Sequence, residues 1–320
     1  MDSLEASTLR RTGLLLISLG VWALTTSSSA HALTIIPTFD STVTSNPNAA
    51  AVQADVQTAI NFYQSTFTAP VTVQMQFSEG AGSFGQGLGG TSSTSLVVQD
   101  YNTVYKPALL AADATTLTGR TAISNLPSVA AGTLVLFPTA EGRALGFNTQ
   151  PGIGAFDGLI NLGSANQYVI PPPGVALGPT EISGLQVIEH EMNEVLGVGA
   201  NSFIPPNSNR FPPNVIAPMN LFSFEGSQQG HFFLSIDGHT PLAPFIGGLI
   251  PGDDPGDYNA TGFVQGFATG GQNVRLDGSS PEVTALTVSG YGNVVPEPST
   301  CLLWGSGLAS LAAWRRMKRV

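Results

Sequence analysis

The chain has 320 residues, 42% hydrophobic and only 10% charged, so it can close a core of its own and is not a disordered polyelectrolyte. Its net charge is −10, and between Leu33 and Val295 five basic residues stand against eighteen acidic ones, a net of −13, which argues against nucleic acid as a partner and for cations. The one cysteine, Cys301, sits near the C-terminus, so the body has neither a disulfide nor a thiolate nucleophile or ligand, and 37 glycines and 23 prolines predict short elements and many loops.

Residues 1–32 read as a secretory signal: Arg10 and Arg11, an apolar run from Gly13 to Leu24, then Ala30-His31-Ala32 as the cleavage site. The chain is therefore expected to be exported. In the body, Val52, Val56, Ile60 and Phe67 recur at helical spacing and predict a first helix over 49–67, after the loop Ser45-Asn46-Pro47-Asn48. Val71, Val73, Met75 and Phe77 alternate with polar residues and predict a half-buried strand. The glycine-rich stretch 80–90 lacks the Lys-Ser/Thr ending of a phosphate loop and reads as a connection. A strand at 95–98, a helix at 101–114, a buried strand at 133–137 and a short strand within 156–162 follow, before the turn Pro171-Pro172-Pro173.

The next helix carries the chemistry. It is predicted over about 180–197, with Thr180 as N-cap and Gly197 as stop, and contains His190-Glu191-Met192-Asn193-Glu194, an H-E-x-x-E pattern. In H-E-x-x-H, two imidazoles one turn apart bind zinc while the intervening Glu serves as general base. Here Glu194 replaces the second His, keeping a metal ligand but adding negative charge. His190 and Glu194 are thus candidate metal ligands and Glu191 the candidate catalytic base. The competing reading is a solvated acidic face made of Glu189, His190, Glu191 and Glu194. No Gly-x-Ser-x-Gly elbow is present, so serine-hydrolase chemistry has little support.

Beyond Gly199 the texture turns to Pro, Asn and Gly with short apolar runs, which predicts an irregular lobe over 200–294 that ends in one short helix or strand at 283–291. A third metal ligand should come from this lobe, with His231, Asp237, His239, Asp253, Asp254 and Asp257 as candidates. The expected cofactor is a divalent metal, zinc by the motif, with calcium the alternative at the Asp-rich loop 253–257. A carboxylate-rich site would polarise water less strongly than an all-imidazole one, predicting slow or specialised hydrolysis or tolerance of another divalent ion.

At the C-terminus, Val295-Pro296-Glu297-Pro298-Ser299-Thr300, an apolar segment 301–314 and the basic run Arg315-Arg316-Met317-Lys318-Arg319 resemble a PEP-CTERM sorting tail. That resemblance implies processing by an exosortase-type sorting enzyme, with residues 295–320 as a transient membrane anchor. The apolar run is shorter than the ~20 residues that span a bilayer comfortably. The motif helix resembles that of metzincin-type proteases, H-E-x-x-H-x-x-G-x-x-H followed by a Met-turn. His190, Glu191 and Gly197 match, and Ile216-Ala217-Pro218-Met219-Asn220-Leu221-Phe222 stands where a Met-turn would fall; Glu194 departs from the pattern, and Ala200 occupies the third ligand position.

The order of H-E-x-x-E, Pro-Met, Ser235-Ile236-Asp237-Gly238 and Gly256-Asp257-Tyr258 resembles a group of PEP-CTERM-tailed proteins classed as metalloproteases from the motif. The resemblance implies an α+β, zincin-like fold: a zincin-like N-terminal lobe over 33–199, with a mixed sheet and an active-site helix, and a loop-rich C-terminal lobe. It further implies an exported, metal-dependent peptidase acting on a peptide or protein substrate at the cell envelope or outside the cell. A non-catalytic surface or matrix protein on a degenerate scaffold is the alternative, and Ala200 is the main argument for it. A calcium-dependent adhesion module using the 253–257 loop is a third reading.

Overall fold

The computed structural model describes residues 33–80, 90–114, 116–163, 168–169, 176–179, 181–206, 208–247, 254–266 and 271–292. The signal segment, the sorting tail, Thr180, Asp253 and Pro171-Pro172-Pro173 lie outside the described residues. The architecture is mixed α/β, with sheets that combine parallel and antiparallel pairs.

Strand β1 (Thr34–Phe39) leads through a single helical turn at 41–44 into helix α1 (Ala49–Thr66) and strand β2 (Thr72–Glu79). β1 was not foreseen, because Pro37 interrupts an otherwise apolar run. It forms an outer strand of its sheet, where a missing N–H is tolerated. The predicted first helix and first strand both form. Strands β3 (Gly90–Thr94), β4 (Leu96–Asp100), β5 (Leu134–Pro138) and β6 (Gly158–Leu162) alternate with helices α2 (Lys106–Asp113), α3 (Leu117–Ser124) and α4 (Thr139–Ala144). The main sheet has the order β1-β2-β6-β3: the first three are mutually parallel, and β3 runs antiparallel at the edge beside β6. β3 also escaped prediction, since Thr91-Ser92-Ser93-Thr94 carries no apolar alternation.

A two-stranded ladder, β7 (Tyr168–Val169) with β8 (Ile182–Ser183), leads into the motif helix α5 (Gly184–Leu196). The helix cap falls three residues later than the sequence suggests. The Ser183 side chain accepts from Gln186 N and is the true N-cap, while Glu181 folds back before the helix to accept from Gly178 N. Gly197 ends the helix in the left-handed conformation, as predicted. α5 packs on β3 and β6 and against α1, and Tyr63 of α1 donates to Glu189 O (3.0 Å) or Asn193 Oδ1 (2.8 Å). The helix is therefore enclosed on nearly every side. Glu189, Glu191 and Glu194 are only 3–6% exposed, so the acidic residues do not form a solvated face.

Past Gly199 the regular pieces are short. β9 (Val215–Ile216) extends the second sheet, β4-β5-β9, and is followed by α6 (Pro218–Leu221). β10 (Ser223–Glu225), β11 (Phe232–Leu234) and β12 (Ala243–Pro244) make an antiparallel meander, and α7 (Pro281–Leu286) with a wider turn through Tyr291 closes the described body. An aromatic cluster substitutes for long elements in this lobe. Phe203 stacks on Phe245 with ring centroids 4.7 Å apart, Phe245 meets Tyr258 edge-on at 5.7 Å, and Tyr258 meets Phe263 at 5.6 Å. Tyr258 is fully buried, which fixes the position of its neighbour Asp257.

Candidate metal centre

His190 lies on the one partly exposed position of α5, and its two ring nitrogens do different work. Nδ1 is 3.0 Å from the carbonyl oxygen of Val264. Donation of that N–H leaves Nε2 as the free lone pair, the tautomer a metal-binding histidine needs. Nε2 points at Glu194 Oε1, one turn on at 3.5 Å, and at Asp257 Oδ2, 3.7 Å away. One ligand atom from each of the three residues falls within 4.8 Å of the others. Among the described residues, this is the one such cluster of His, Asp and Glu.

Asp257 is thus the candidate from the C-terminal lobe that joins the helix pair. It is delivered by a loop fastened at several points: Ile246 N donates to Asp257 O (2.7 Å), Asp257 N to Asp254 O (3.1 Å) and Gly256 N to Ala200 O (3.0 Å). The other candidates are placed elsewhere. His231 belongs to the β10–β11 turn. Asp237 is engaged by its own loop, accepting from Ser235 Oγ, His239 N and Thr240 N and Oγ1, and these bonds hold its pKa well below the usual carboxylate range. His239 sits in that same loop. Asp254 contributes its backbone carbonyl to the turn that carries Asp257. The Pro-Met segment forms α6 with Met219 fully buried; Asn220 clasps Ile204, accepting from its N–H and donating to its carbonyl, and so ties the turn to the chain leaving α5.

Glu194 is oriented by Ser92 of the edge strand, whose hydroxyl donates to Oε2 at 2.6 Å and leaves Oε1 for the site. Glu191 packs on the same strand. A Cβ at Gly90 would lie 2.5 Å from Glu191 Oε1, so glycine there is what lets the carboxyl reach its position. Glu191 Oε2 is buried and has no hydrogen-bond partner, an unspent acceptor beside His190, Glu194 and Asp257, which are its electrostatic neighbours.

The charges are strongly unbalanced. Burial, reinforced by Glu194, pushes the Glu191 carboxyl well above the usual range against the opposing pull of His190. Burial likewise lifts Asp257 to about 7, with His190 opposing. Burial disfavours the imidazolium of His190, yet Asp257, Glu194 and Glu191 together outweigh it and raise its pKa well above the ordinary value. Three carboxyl groups around one imidazole, with an orphaned buried oxygen among them, fit a divalent cation, which would relieve this repulsion.

Sequence reasoning missed two residues here. Gln265 places its side-chain nitrogen 3.0 Å from Asp257 Oδ1 and 3.3 Å from His190 Nε2. Glu282 of α7 accepts the Gln265 backbone N–H at 2.9 Å from a fully buried position. Neither lies in a motif, and Glu282, just after Ser279-Ser280-Pro281, reads as an ordinary acidic residue in the first turn of a helix. Beside Glu194 lies a shallow depression lined by Leu96, Leu136 and Pro138 on one side and Ala200 on the other.

Residues 294–319 match the family described as PEP-CTERM protein-sorting motif. The match covers the sorting segment alone, and the metalloprotease resemblance has no counterpart in these comparisons. Neither the curated proteins nor the solved structures contain a match to the chain. The motif marks the chain as an exported protein that an exosortase-type enzyme sorts at the cell envelope. No helix among the described residues is long and apolar enough to cross a membrane.

Proposed function

We propose that the body is a metal-dependent peptide hydrolase of zincin-like fold, with His190, Glu194 and Asp257 as ligands and Glu191 as general base. The observation that carries this reading is the arrival of Asp257 at 3.7 Å from His190 Nε2, which completes a three-ligand set that the helix motif alone leaves short. The mixed sheet with an antiparallel edge strand next to the motif helix supports the zincin-like description.

A divalent ion held there would polarise a substrate carbonyl and acidify water. The chain's own contributions are specific. Ser92 and Val264 fix the ligands' orientation, and Glu191, kept dry against Gly90, has a free oxygen to take a proton from water as its oxygen adds to the carbonyl carbon. The same carboxyl returns that proton to the amide nitrogen as the C–N bond breaks.

The test is metal analysis of the purified protein, followed by mass-spectrometric detection of cleavage in a mixed peptide pool. Stoichiometric divalent metal in the wild type, its loss in His190→Ala, and cleavage that Glu191→Gln abolishes are the expected results. A wild type that retains no metal would overturn the proposal. Metal binding with equal peptide turnover in both wild type and Glu191→Gln would remove the assigned base, and binding without turnover would leave a non-catalytic surface protein.

A further inference from the structure

Gln265 faces the ligand cluster with an amide that cannot leave it. Its backbone N–H is held by Glu282 Oε1 at 2.9 Å, its carbonyl accepts from Tyr258 N at 2.9 Å, and the residue has no solvent exposure. Space for the amide exists because Gly199 opposite has no side chain; a Cβ there would collide with the Gln265 nitrogen and carbon. The remaining freedom is rotation of the terminal amide about its last bond, which exchanges two groups of nearly identical shape.

The amide turns its nitrogen toward the cluster. The NH2 group donates to Asp257 Oδ1 and lies 3.3 Å from His190 Nε2, while Oε1 is buried with no partner at all. A cation reverses that preference, because an amide NH2 has no lone pair to give and the carbonyl oxygen does. The spacing is right for ligation. The position now filled by the nitrogen is 3.3 Å from His190 Nε2 and 3.0 Å from Asp257 Oδ1, and His190 Nε2 stands 3.5 Å from Glu194 Oε1 and 3.7 Å from Asp257 Oδ2, in a cluster whose His, Glu and Asp atoms lie within 4.8 Å of one another. Neighbouring donors around one ion stand roughly 3.0–3.6 Å apart when its bonds are ~2.1–2.4 Å.

From this geometry we infer that Gln265 is a fourth metal ligand through its side-chain carbonyl oxygen, giving the site one nitrogen and three oxygen donors. The inference rests on the reading of His190, Glu194 and Asp257 as ligands. Its consequence is chemical. Four protein donors fill a tetrahedral zinc shell and leave no place for substrate, whereas an oxygen-rich set suits an ion of the Mn2+ kind that accepts five or six ligands and keeps positions open.

The experiment is calorimetric titration of the full protein with Mn2+ in four forms, together with the number of Mn2+-bound waters from water-proton relaxation. Gln265→Ala is expected to bind Mn2+ 10–100-fold more weakly and to gain one bound water. Gln265→Glu, which keeps an oxygen donor, is expected to bind at least as tightly as wild type. A glutamine that only braces Asp257 gives the opposite order, since Gln265→Glu loses the N–H donor and adds a repelling carboxylate; weaker binding in Gln265→Glu than in Gln265→Ala, or an unchanged water number in Gln265→Ala, overturns the inference and leaves the three-ligand reading standing. Failure of the wild type to bind Mn2+ overturns the inference too, and a His190→Ala variant that binds as tightly as wild type refutes the ligand set itself.

Discussion

The backbone N–H of Ala200 donates to Asp257 Oδ1 at 3.2 Å, so the position at which the motif would carry its third ligand instead grips Asp257, the residue proposed for that role. Ala200 does this at φ 39°, a left-handed conformation that costs a non-glycine residue roughly 1–2 kcal/mol. Ala200→Gly should keep metal affinity unchanged and leave stability equal or higher by up to ~1 kcal/mol. Ala200→Val, whose branched Cβ resists that conformation, should lose about 1–2 kcal/mol and weaken metal binding. Urea unfolding with parallel metal titration checks both.

Asp257 also sets a pH dependence. Because burial raises its pKa to about 7, a metal must displace a proton from it below that pH and finds it already ionised above. The Asp257 share of the dependence should therefore climb about tenfold per pH unit from pH 5.5 toward 7 and flatten beyond, while the raised pKa of His190 adds a further rise in affinity that continues above pH 7. In Asp257→Asn the climb should shrink and affinity at pH 7.5 should fall by at least ~10–100-fold, as read by competition with a coloured chelator.

The contact between Gly90 and Glu191 gives a test that touches no ligand. A methyl group at Gly90 must push the Glu191 carboxyl aside, so Gly90→Ala should retain metal while turnover falls on the order of 10²-fold or more, approaching the loss in Glu191→Gln. Equal turnover in Gly90→Ala and wild type would show that the carboxyl has no fixed position to lose.

A second buried acid, remote from the metal cluster, governs stability. Asp113 is 1% exposed, neither of its carboxyl oxygens has a partner, and burial raises its pKa from 3.8 to about 8. A raised folded-state pKa favours the protonated fold, so its contribution is complete below about pH 4 and is lost progressively as the pH rises to about 8. Burial also raises Glu189 to about 8 and Asp55 to about 6, which act in the same direction. The metal-free protein should melt roughly 5–10 °C lower at pH 8 than at pH 5, and Asp113→Asn should recover part of that difference by scanning calorimetry.

What the sequence makes legible follows from where the signal is local. Helix α1, strand β2, the Gly197 stop and the pair His190 and Glu194 are set by spacing within a few residues. β3 was hidden because its serines and threonines serve the motif helix through polar contacts, Ser92 to Glu194 among them, and not through an apolar face. The start of α5 was misplaced because Thr180 and Ser183 are both good caps, and only the pairing of Ile182–Ser183 with Tyr168–Val169 decides between them. Asp257 could be named only as one of six candidates, since the aromatic packing and loop bonds that present it join residues far apart in the chain. Gln265 had no signal, because a neutral amide in a glycine-rich loop looks like any other.

The grip of Glu282 on Gln265 also fixes the order in which the protein can be finished. His190 receives its Nδ1 acceptor from Val264, and that segment is held by a residue ninety-two positions downstream of the histidine, twelve before the sorting match begins. A chain that crosses the membrane from its N-terminus delivers the helix first and its clasp last. The cluster of His190, Glu194 and Asp257 therefore gains its last support only when residue 282 has emerged, with the sorting segment next in line.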